Sequence, residues 1–335
     1  MIPRTLPTCQ TNRWQDDMAN LIRQPHELLR ILELDPSLLE TLQNSSHQFN
    51  LRVPRQFVEK MKKGDINDPL LRQVLPLKEE LQVSELYSMD PLQEASSNPH
   101  PGLLHKYHGR VLLVVSASCA IHCRYCFRRH FPYQDNKPSR ENWQSVLNYI
   151  SEDKSINEVI FSGGDPLSAS DKYLSRLTAQ ISQIPHIKRL RIHTRLPILL
   201  PNRIDDACLL WLKTPRLQTI MVLHSNHPNE IDHQTATMVS RLRQADITVL
   251  NQSVLLKGIN DNVDILTSLS EKLFDAGILP YYLHLLDKVA NVEHFDIPEA
   301  QARHLYQQLL ARLPGFLVPK LVKELPQAVS KLPIL

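Results

Sequence analysis

Short apolar runs alternate with longer amphipathic segments from Arg110 to about residue 285. The apolar runs are rich in valine, isoleucine and leucine, and this length and composition predict buried strands. The intervening segments have apolar residues at helical spacing, and Ser139 and Ser170 are typical helix-start residues. The predicted strands are 111–116, 158–162, 189–193, 219–224, 248–252 and 281–285, and the predicted helices are 139–151, 170–184, 205–213, 230–245 and 263–276.

Regular alternation of strands and helices with short connections predicts parallel βαβ units. Six such units fit a partial (β/α)6 TIM-type barrel, an α/β fold whose active site lies at the carboxyl ends of the strands. A doubly wound open sheet is the competing topology. Polar residues recur at these strand ends: Ser162-Gly163-Gly164-Asp165, His193-Thr194-Arg195, His224-Ser225-Asn226-His227, Asn251-Gln252-Ser253 and Leu286-Asp287.

Residues 1–100 have a different pattern, which predicts a helical N-terminal region docked on a barrel formed by residues 101–335. Helical spacing covers 17–34 with an interruption at Pro25, a further helix is predicted from Asp35-Pro36 to Leu42, and 52–62 continues in the same style. A stretch rich in Ser, Asn and Pro, 94–102, connects this region to the barrel. Nothing in the region indicates chemistry by itself.

Composition excludes several classes of protein. The 335 residues, 42% hydrophobic and 22% charged, are ordinary for a globular protein with one large domain and a small appendage. The net charge of +3 and the lack of a Lys/Arg tract give no sign of nucleic-acid binding. No apolar run approaches the ~20 residues that span a bilayer. Cys9 and Cys208 stand alone, which favours a reducing compartment, most simply the cytoplasm.

The remaining cysteines, Cys119, Cys123 and Cys126, have the spacing C-x3-C-x2-C directly after the first predicted strand. Thiolates are the usual protein ligands of iron–sulfur clusters, and three ligands leave one iron open for chemistry. A zinc knuckle with His122 or His130 as fourth ligand is the alternative. Three arginines beside the cysteines (Arg124, Arg128 and Arg129) indicate an anionic small molecule, or else a solvated charged face.

The cysteine spacing, with Tyr125 before the last cysteine, resembles that of the radical S-adenosylmethionine (SAM) enzymes. In those enzymes the open iron of a [4Fe-4S] cluster binds SAM, and one electron cleaves SAM to a 5′-deoxyadenosyl radical. Gly163-Gly164-Asp165 resembles the motif whose backbone binds the SAM amino group, so these residues are expected to bind the cofactor. A plain tight turn is the alternative, because a glycine pair after a strand is a weak signal by itself.

A closer resemblance is to the lysine 2,3-aminomutases. It is carried by Cys-Arg-Tyr-Cys-Phe-Arg-Arg at 123–129, Phe-Ser-Gly-Gly-Asp-Pro-Leu at 161–167, His-Pro-Asn-Glu at 227–230, Asn-Gln-Ser-Val-Leu-Leu at 251–256, Gly-Ile-Asn-Asp at 258–261 and Pro-Tyr-Tyr at 280–282. This family also uses pyridoxal 5′-phosphate (PLP), which needs a lysine. Pro319 and Pro326 keep the family register and place Lys331 at that position, although Gln-Ala-Val-Ser replaces the family's glycine run. Lys320 and Lys323 are the fallback candidates.

The resemblance also implies roles for residues of the pocket. Arg128 matches the arginine that binds the substrate carboxylate, a task suited to a planar guanidinium. Asp287 and Glu324 match the two acids that hold the distal ammonium of lysine, the second being an aspartate in the family. Lys106 and Arg110 match the stretch that lines the PLP phosphate and ring, and the expected SAM contacts are His224 and Gln252.

The implied activity is conversion of L-α-lysine to β-lysine. The chain ends four residues after Lys331, so it resembles the short branch that supplies (R)-β-lysine for modification of translation elongation factor P. The implied partners are L-lysine, a reducing electron donor such as flavodoxin, and an elongation factor P lysyl ligase. Three alternatives stay open: an aminomutase for another amino acid, a radical SAM enzyme without PLP, and a metal-stabilised binding module without catalysis.

Overall fold

The computed structural model describes residues 13–40, 42, 49–82, 84–136 and 140–334. Cys9 and the predicted helix start at Ser139 lie outside these residues. The described strands form one nine-stranded sheet in chain order, parallel from β2 to β8 with antiparallel β1 and β9 at its edges. Its strands are β1 Leu103–Tyr107, β2 Arg110–Ser116, β3 Glu158–Gly163, β4 Arg189–Thr194, β5 Gln218–His224, β6 Thr248–Val254, β7 Leu279–His284, β8 Lys320–Lys323 and β9 Leu332–Pro333.

All six predicted strands are confirmed, as β2 to β7. β3 is almost entirely buried, as expected for a parallel strand covered on both faces, whereas β4 and β6 alternate buried and partly exposed positions. Three strands were not predicted. β1 lies before the alternating pattern begins, β8 is four residues long with a lysine at each end, and β9 has only two residues. Runs this short carry too little periodicity to be recognised.

Helices lie between the parallel strands and confirm the predicted alternation. Side chains of Ser170, Asp205, Asp232 and Asn262 accept hydrogen bonds from the first turns of four of them, which satisfies free backbone amides there. The described helices are α1 Trp14–Ala19, α2 Pro25–Ile31, α3 Arg55–Val58, α4 Arg140–Glu152, α5 Asp171–Ser182, α6 Leu196–Leu199, α7 Asp206–Leu212, α8 His233–Gln244, α9 Val263–Asp275 and α10 Glu299–Arg312. No helix among the described residues has the length and apolar character needed to cross a membrane.

The strand order decides between the two predicted topologies. A doubly wound sheet reverses its strand order near the middle, whereas this sheet runs from β1 to β9 without reversal. Its two edges meet through side chains: Lys106 Nζ and Tyr107 Oη, at the end of β1, donate to Glu324 Oε1 beyond β8 at 3.1 and 2.9 Å. The sheet is therefore curled into a partial TIM-type barrel, with seven parallel strands where six were predicted.

The described part of the N-terminal region packs on the barrel through a shared hydrophobic cluster, which joins Phe57 and Leu71 to Val115 and Ile121. The predicted interruption at Pro25 is confirmed, since Pro25 is the first residue of α2. The predicted helix over 52–62 is shorter, and only Arg55–Val58 is helical. The helix predicted from Asp35-Pro36 to Leu42 begins with a 3-10 turn, Pro36–Leu38, and residue 41 of that prediction lies outside the described residues. The boundary near residue 100 stays a prediction.

Candidate active site

The cysteine loop follows β2 and is held by the N-terminal region. His122 N donates to Arg52 O and Arg124 N donates to Gln73 O, each at 2.9 Å. The buried Arg124 side chain pairs with the buried Glu80 carboxylate, with Nε to Oε1 at 2.8 Å. These contacts give a loop of irregular backbone a fixed path, which is a requirement for presenting three side chains to one ligand.

The three thiols lie close enough to influence one another. Burial is the main cause that raises the pKa of Cys119, and Asp165 and the other two thiols raise it further. Burial and Cys123 raise the pKa of Cys126 to about 11. Cys119 and Cys126 therefore resist becoming anionic unless positive charge is present, as a bound metal group provides.

The site's arrangement does not favour a single zinc ion. Among the described residues, no three His, Cys, Asp or Glu side chains converge so as to hold one metal ion. His122 Nδ1 pairs with Asn50 O at 2.7 Å, and its ring stacks on Phe49. A cuboidal cluster has a separate iron for each thiolate ligand, so it does not require three side chains to converge on one ion.

The glycine pair at the end of β3 lets that strand approach the cysteine loop. A Cβ on Gly163, whose φ is +119°, would lie 2.5 Å from Ser116 O, and a Cβ on Gly164 would lie 2.7 Å from Ser118 O. Gly164 N donates to Ser116 O at 2.7 Å. A side chain at either position would thus push the loop out of place. The expected contact of this backbone with SAM stays a prediction.

Asp165 is engaged within the protein. Its buried carboxylate accepts hydrogen bonds from Thr194 Oγ1 (2.6 Å), Arg195 N (2.8 Å), Leu196 N (2.9 Å) and Leu167 N (3.0 Å). The carboxylate therefore fixes the turn after β4. A direct contact of Asp165 with SAM also stays a prediction.

The side chain of Lys331 is held toward the barrel interior by its contact with Glu324. Its Nζ donates to Glu324 Oε2 and lies 5.9 Å from the centre of the Tyr282 ring. Of the fallback lysines, Lys320 is exposed and Lys323 pairs with Glu299 at 2.8 Å. Of the three candidates, the structure brings Lys331 into contact with the predicted substrate-binding acid.

Two further predicted residues lie near this lysine. Arg110 stacks over the Tyr107 ring at 4.7 Å, and no described residue accepts a hydrogen bond from its guanidinium. Asp287 is half-buried; its partial loss of hydration, followed by the Glu324 charge, raises its pKa to about 7, while Lys331 and Lys106 act in the opposite direction. The interior thus holds both signs of charge.

Arg128 is paired with a residue that the sequence did not indicate. Its Nε and Nη2 donate to Glu94 Oε2 and Oε1 at 2.8 and 2.6 Å, and Nη1 donates to Ser162 Oγ at 3.2 Å. Glu94 also contributes to the raised pKa of Asp287. Glu94 therefore acts electrostatically on both Arg128, the predicted carboxylate-binding residue, and Asp287, a predicted ammonium-binding residue.

His224 and Gln252 are neighbours, because they are paired residues of β5 and β6. His224 Nε2 is 2.8 Å from Tyr125 Oη, so this pair borders the cysteine loop. Burial lowers the pKa of His224 well below its usual value, which keeps the ring neutral. The position suits a cofactor bound at the loop, and the SAM contact itself stays a prediction.

Comparison with known proteins bears on this arrangement. A family model described as "Radical SAM superfamily" matches residues 113–268. The L-lysine 2,3-aminomutase of Escherichia coli (strain K12) is 47% identical over 98% of this chain and 96% of the relative. Those of Buchnera aphidicola (strain Bp) and Clostridium subterminale are 49% and 32% identical, over 95% and 97% of this chain and 94% and 78% of the relatives.

The chain belongs to the L-lysine 2,3-aminomutase family. It is thus a member of a family of isomerases with a radical SAM domain, and that domain implies a [4Fe-4S] cluster and SAM as cofactors. Among solved structures, a radical SAM methyltransferase from Sphaerobacter thermophilus is similar with a TM-score of 0.47 and 17% identity, over 66% of this chain and 68% of that one. That likeness is too distant to say anything of function.

Some polar residues near the candidate site were given no role from the sequence, although several left a signal. Arg191 and His193 alternate on β4, and Tyr282 and His284 alternate on β7, so each pair faces one side of the sheet. Polar side chains at every second position of a buried strand could have marked the barrel interior. Glu94 left no such signal, because it lies in a short 3-10 turn far from the cysteines in sequence.

We predict that Gly164→Ala destabilises this aminomutase-family protein. The added Cβ would meet backbone atoms of Ala117 and Ser118 at 2.7 to 3.0 Å, so the cysteine loop must shift. We expect a loss of about 1–3 kcal/mol in the free energy of unfolding, measured in urea, together with lower iron incorporation. Gly315→Ala is the matched control, because nothing lies within 4 Å of its Cβ. Equal stability of the two variants would contradict the close-approach argument.

Proposed function

We propose that this chain is a PLP-dependent lysine 2,3-aminomutase that converts L-lysine to β-lysine. The observation that carries the proposal is the pair of ion pairs that Glu324 makes with two lysines. This carboxylate binds Lys331 Nζ and Lys106 Nζ, and both are primary alkylammonium groups, as is the distal end of lysine. The half-buried Asp287 lies within the electrostatic influence of this carboxylate. Two acids at one end of a pocket favour a substrate with a distal cation over one with a distal carboxylate.

The chain's own residues divide the work of holding the substrate. Arg128 binds the α-carboxylate, for which a buried guanidinium is the usual partner, and Asp287 and Glu324 hold the distal ammonium. These groups fix the substrate at both ends, so that one carbon is held in a constant position. Arg128 is buried and Asp287 is half-buried, so the proposed pocket gives water little access to either group.

The residues present fit both expected cofactors. Cys119, Cys123 and Cys126 would hold the cluster, with Gly163, Gly164, His224 and Gln252 around SAM, while Lys331 would hold PLP, with Arg110 and Lys106 near its phosphate. The free guanidinium of Arg110 suits a phosphate dianion. When bound, the cluster and SAM supply a carbon radical that takes hydrogen from the substrate, and PLP carries the migrating amino group.

The finer parts of the proposal depend on resemblance in sequence. These parts are that the product is (R)-β-lysine, that the reaction occurs in the cytoplasm, that flavodoxin donates the electron, and that an elongation factor P lysyl ligase uses the product. Chiral analysis of the product checks the first part. Transfer of that product to elongation factor P by the ligase checks the last.

The assay that tests the proposal uses anaerobically reconstituted protein with lysine, SAM, PLP and dithionite. We expect β-lysine to form, and to require all four additions. Other amino acids in place of lysine test the alternative that the chain is an aminomutase with a different substrate. Stoichiometric zinc with no iron and no product would favour the binding-module alternative instead.

We predict that Lys331→Ala removes the visible PLP absorbance band and β-lysine formation, while iron and sulfide content stay at the wild-type level. The reason is that no other lysine would lie at the PLP position. Lys320→Ala is the control, because Lys320 is exposed, and it should keep both the band and the activity. Retention of the band in Lys331→Ala would move the PLP lysine to another position.

We predict that lysine binds more tightly as pH rises from 6 to 8. Asp287 has a pKa of about 7 in the free protein, and only its ionised form attracts the distal ammonium. The ionised fraction, and with it the apparent affinity, should rise by about tenfold over this range. The measurement is KM for lysine at each pH in wild type and Asp287→Asn. The Asn variant should bind weakly with a flatter profile, and an unchanged profile would remove Asp287 from this role.

A further inference from the structure

Arg195, at the end of β4, makes a direct contact with one of the three loop cysteines. Its Nη1 donates to Cys123 Sγ at 2.8 Å and to Tyr125 Oη at 2.6 Å. The side chain is buried, with 5% of its surface exposed. A guanidinium carries its positive charge at all physiological pH values, so this sulfur has a permanent cation within hydrogen-bond distance.

The guanidinium is held by groups from separate parts of the chain. Its Nη2 donates to Gln73 Oε1 at 2.7 Å, from the N-terminal region, and to Glu230 Oε2 at 3.0 Å, from the loop after β5. The backbone of Arg195 is fixed by Asp165, as described above. Because partners on several sides restrain it, the guanidinium keeps its direction toward Cys123 without depending on a bound ligand.

Glu230 is the counter-charge of this arginine. It is fully buried and accepts hydrogen bonds from Asn226 N at 2.9 Å and His227 N at 3.1 Å, as well as from Arg195. Its negative charge therefore offsets part of the arginine's charge at Cys123. The balance between the two side chains sets the electrostatic potential at this sulfur.

Hydrogen bonds to ligand sulfurs and nearby positive charge both stabilise the reduced, more negative state of an iron–sulfur cluster, and thereby raise its reduction potential. We propose that Arg195 is a positioning residue that holds Cys123 for the cluster and raises the cluster's reduction potential, with Glu230 limiting the rise. The inference rests on the proposed binding of the cluster by Cys119, Cys123 and Cys126.

The experiment compares full-length wild type, Arg195→Gln, Arg195→Lys and Glu230→Gln after anaerobic reconstitution. Iron and sulfide per chain are measured first, and the midpoint potential of the cluster is then measured by a redox titration followed by electron paramagnetic resonance. We expect Arg195→Gln to shift the potential to a more negative value and Arg195→Lys to shift it less. Glu230→Gln should shift it in the opposite direction, because more of the arginine's charge then acts on Cys123.

Arg203→Gln is the matched control. Arg203 is also fully buried and pairs with an acid, Asp171 at 2.8 Å, and it contacts none of the three loop cysteines in the described structure. The Arg203→Gln variant measures the general effect of removing a buried arginine. We expect its cluster to keep the wild-type midpoint potential. If Arg195→Gln fails to take up iron while Arg203→Gln succeeds, the holding role is supported and Glu230→Gln carries the test of the potential.

The experiment distinguishes failure of the proposed function from failure of the proposed role of Arg195. Wild-type protein that takes up neither iron nor sulfide would overturn the proposed function, and this inference with it. A full cluster in all variants, with the same potential in wild type, Arg195→Gln and Glu230→Gln, would overturn the role of Arg195 and leave the proposed function standing.

Discussion

The contact on which the rest of the structure most depends is the one that Glu324 makes across the opening of the sheet. Its carboxylate follows β8 at one edge, while Lys106 and Tyr107 lie on β1 at the other. Burying a carboxylate is costly unless its lone pairs are satisfied, and here two ammonium groups and one hydroxyl satisfy them. Lys331 is one of those groups. The Glu324 carboxylate therefore both joins the two edges of the sheet and holds Lys331 at the proposed PLP end of the site.

A comparable constraint governs the cysteine loop. Three thiols that repel one another as anions must be held together before a cluster is present. The glycine pair allows β3 to approach the loop, and Asp165 ties the same strand end to the turn that carries Arg195. The loop is thus fixed from the barrel side by backbone contact and from the N-terminal side by Glu80. Preformed geometry of this kind lowers the cost of ligand binding.

Two of the proposed substrate-binding groups, Arg128 and Glu324, are ion-paired within the protein. Arg128 is held by the carboxylate of Glu94, and Glu324 is held by the ammonium of Lys331. Arg128 and Glu324 therefore each have a protein partner of the same charge as the part of lysine that they are proposed to bind. Binding of the substrate would replace these ion pairs within the protein by ion pairs with lysine. The affinity for lysine therefore depends on small differences between large electrostatic energies.

The sequence by itself determined the parallel strands β2 to β7, the helices between them and the cysteine loop, because periodicity and spacing act locally along the chain. Through resemblance to a family, it also predicted roles for Lys331 and Glu324. Only the tertiary structure decided that the sheet edges meet at Glu324, that Glu94 pairs with Arg128, and that Arg195 donates to Cys123. These partners are from 34 to 218 residues apart in sequence, and no local pattern encodes which charged groups the closure of a barrel will bring together.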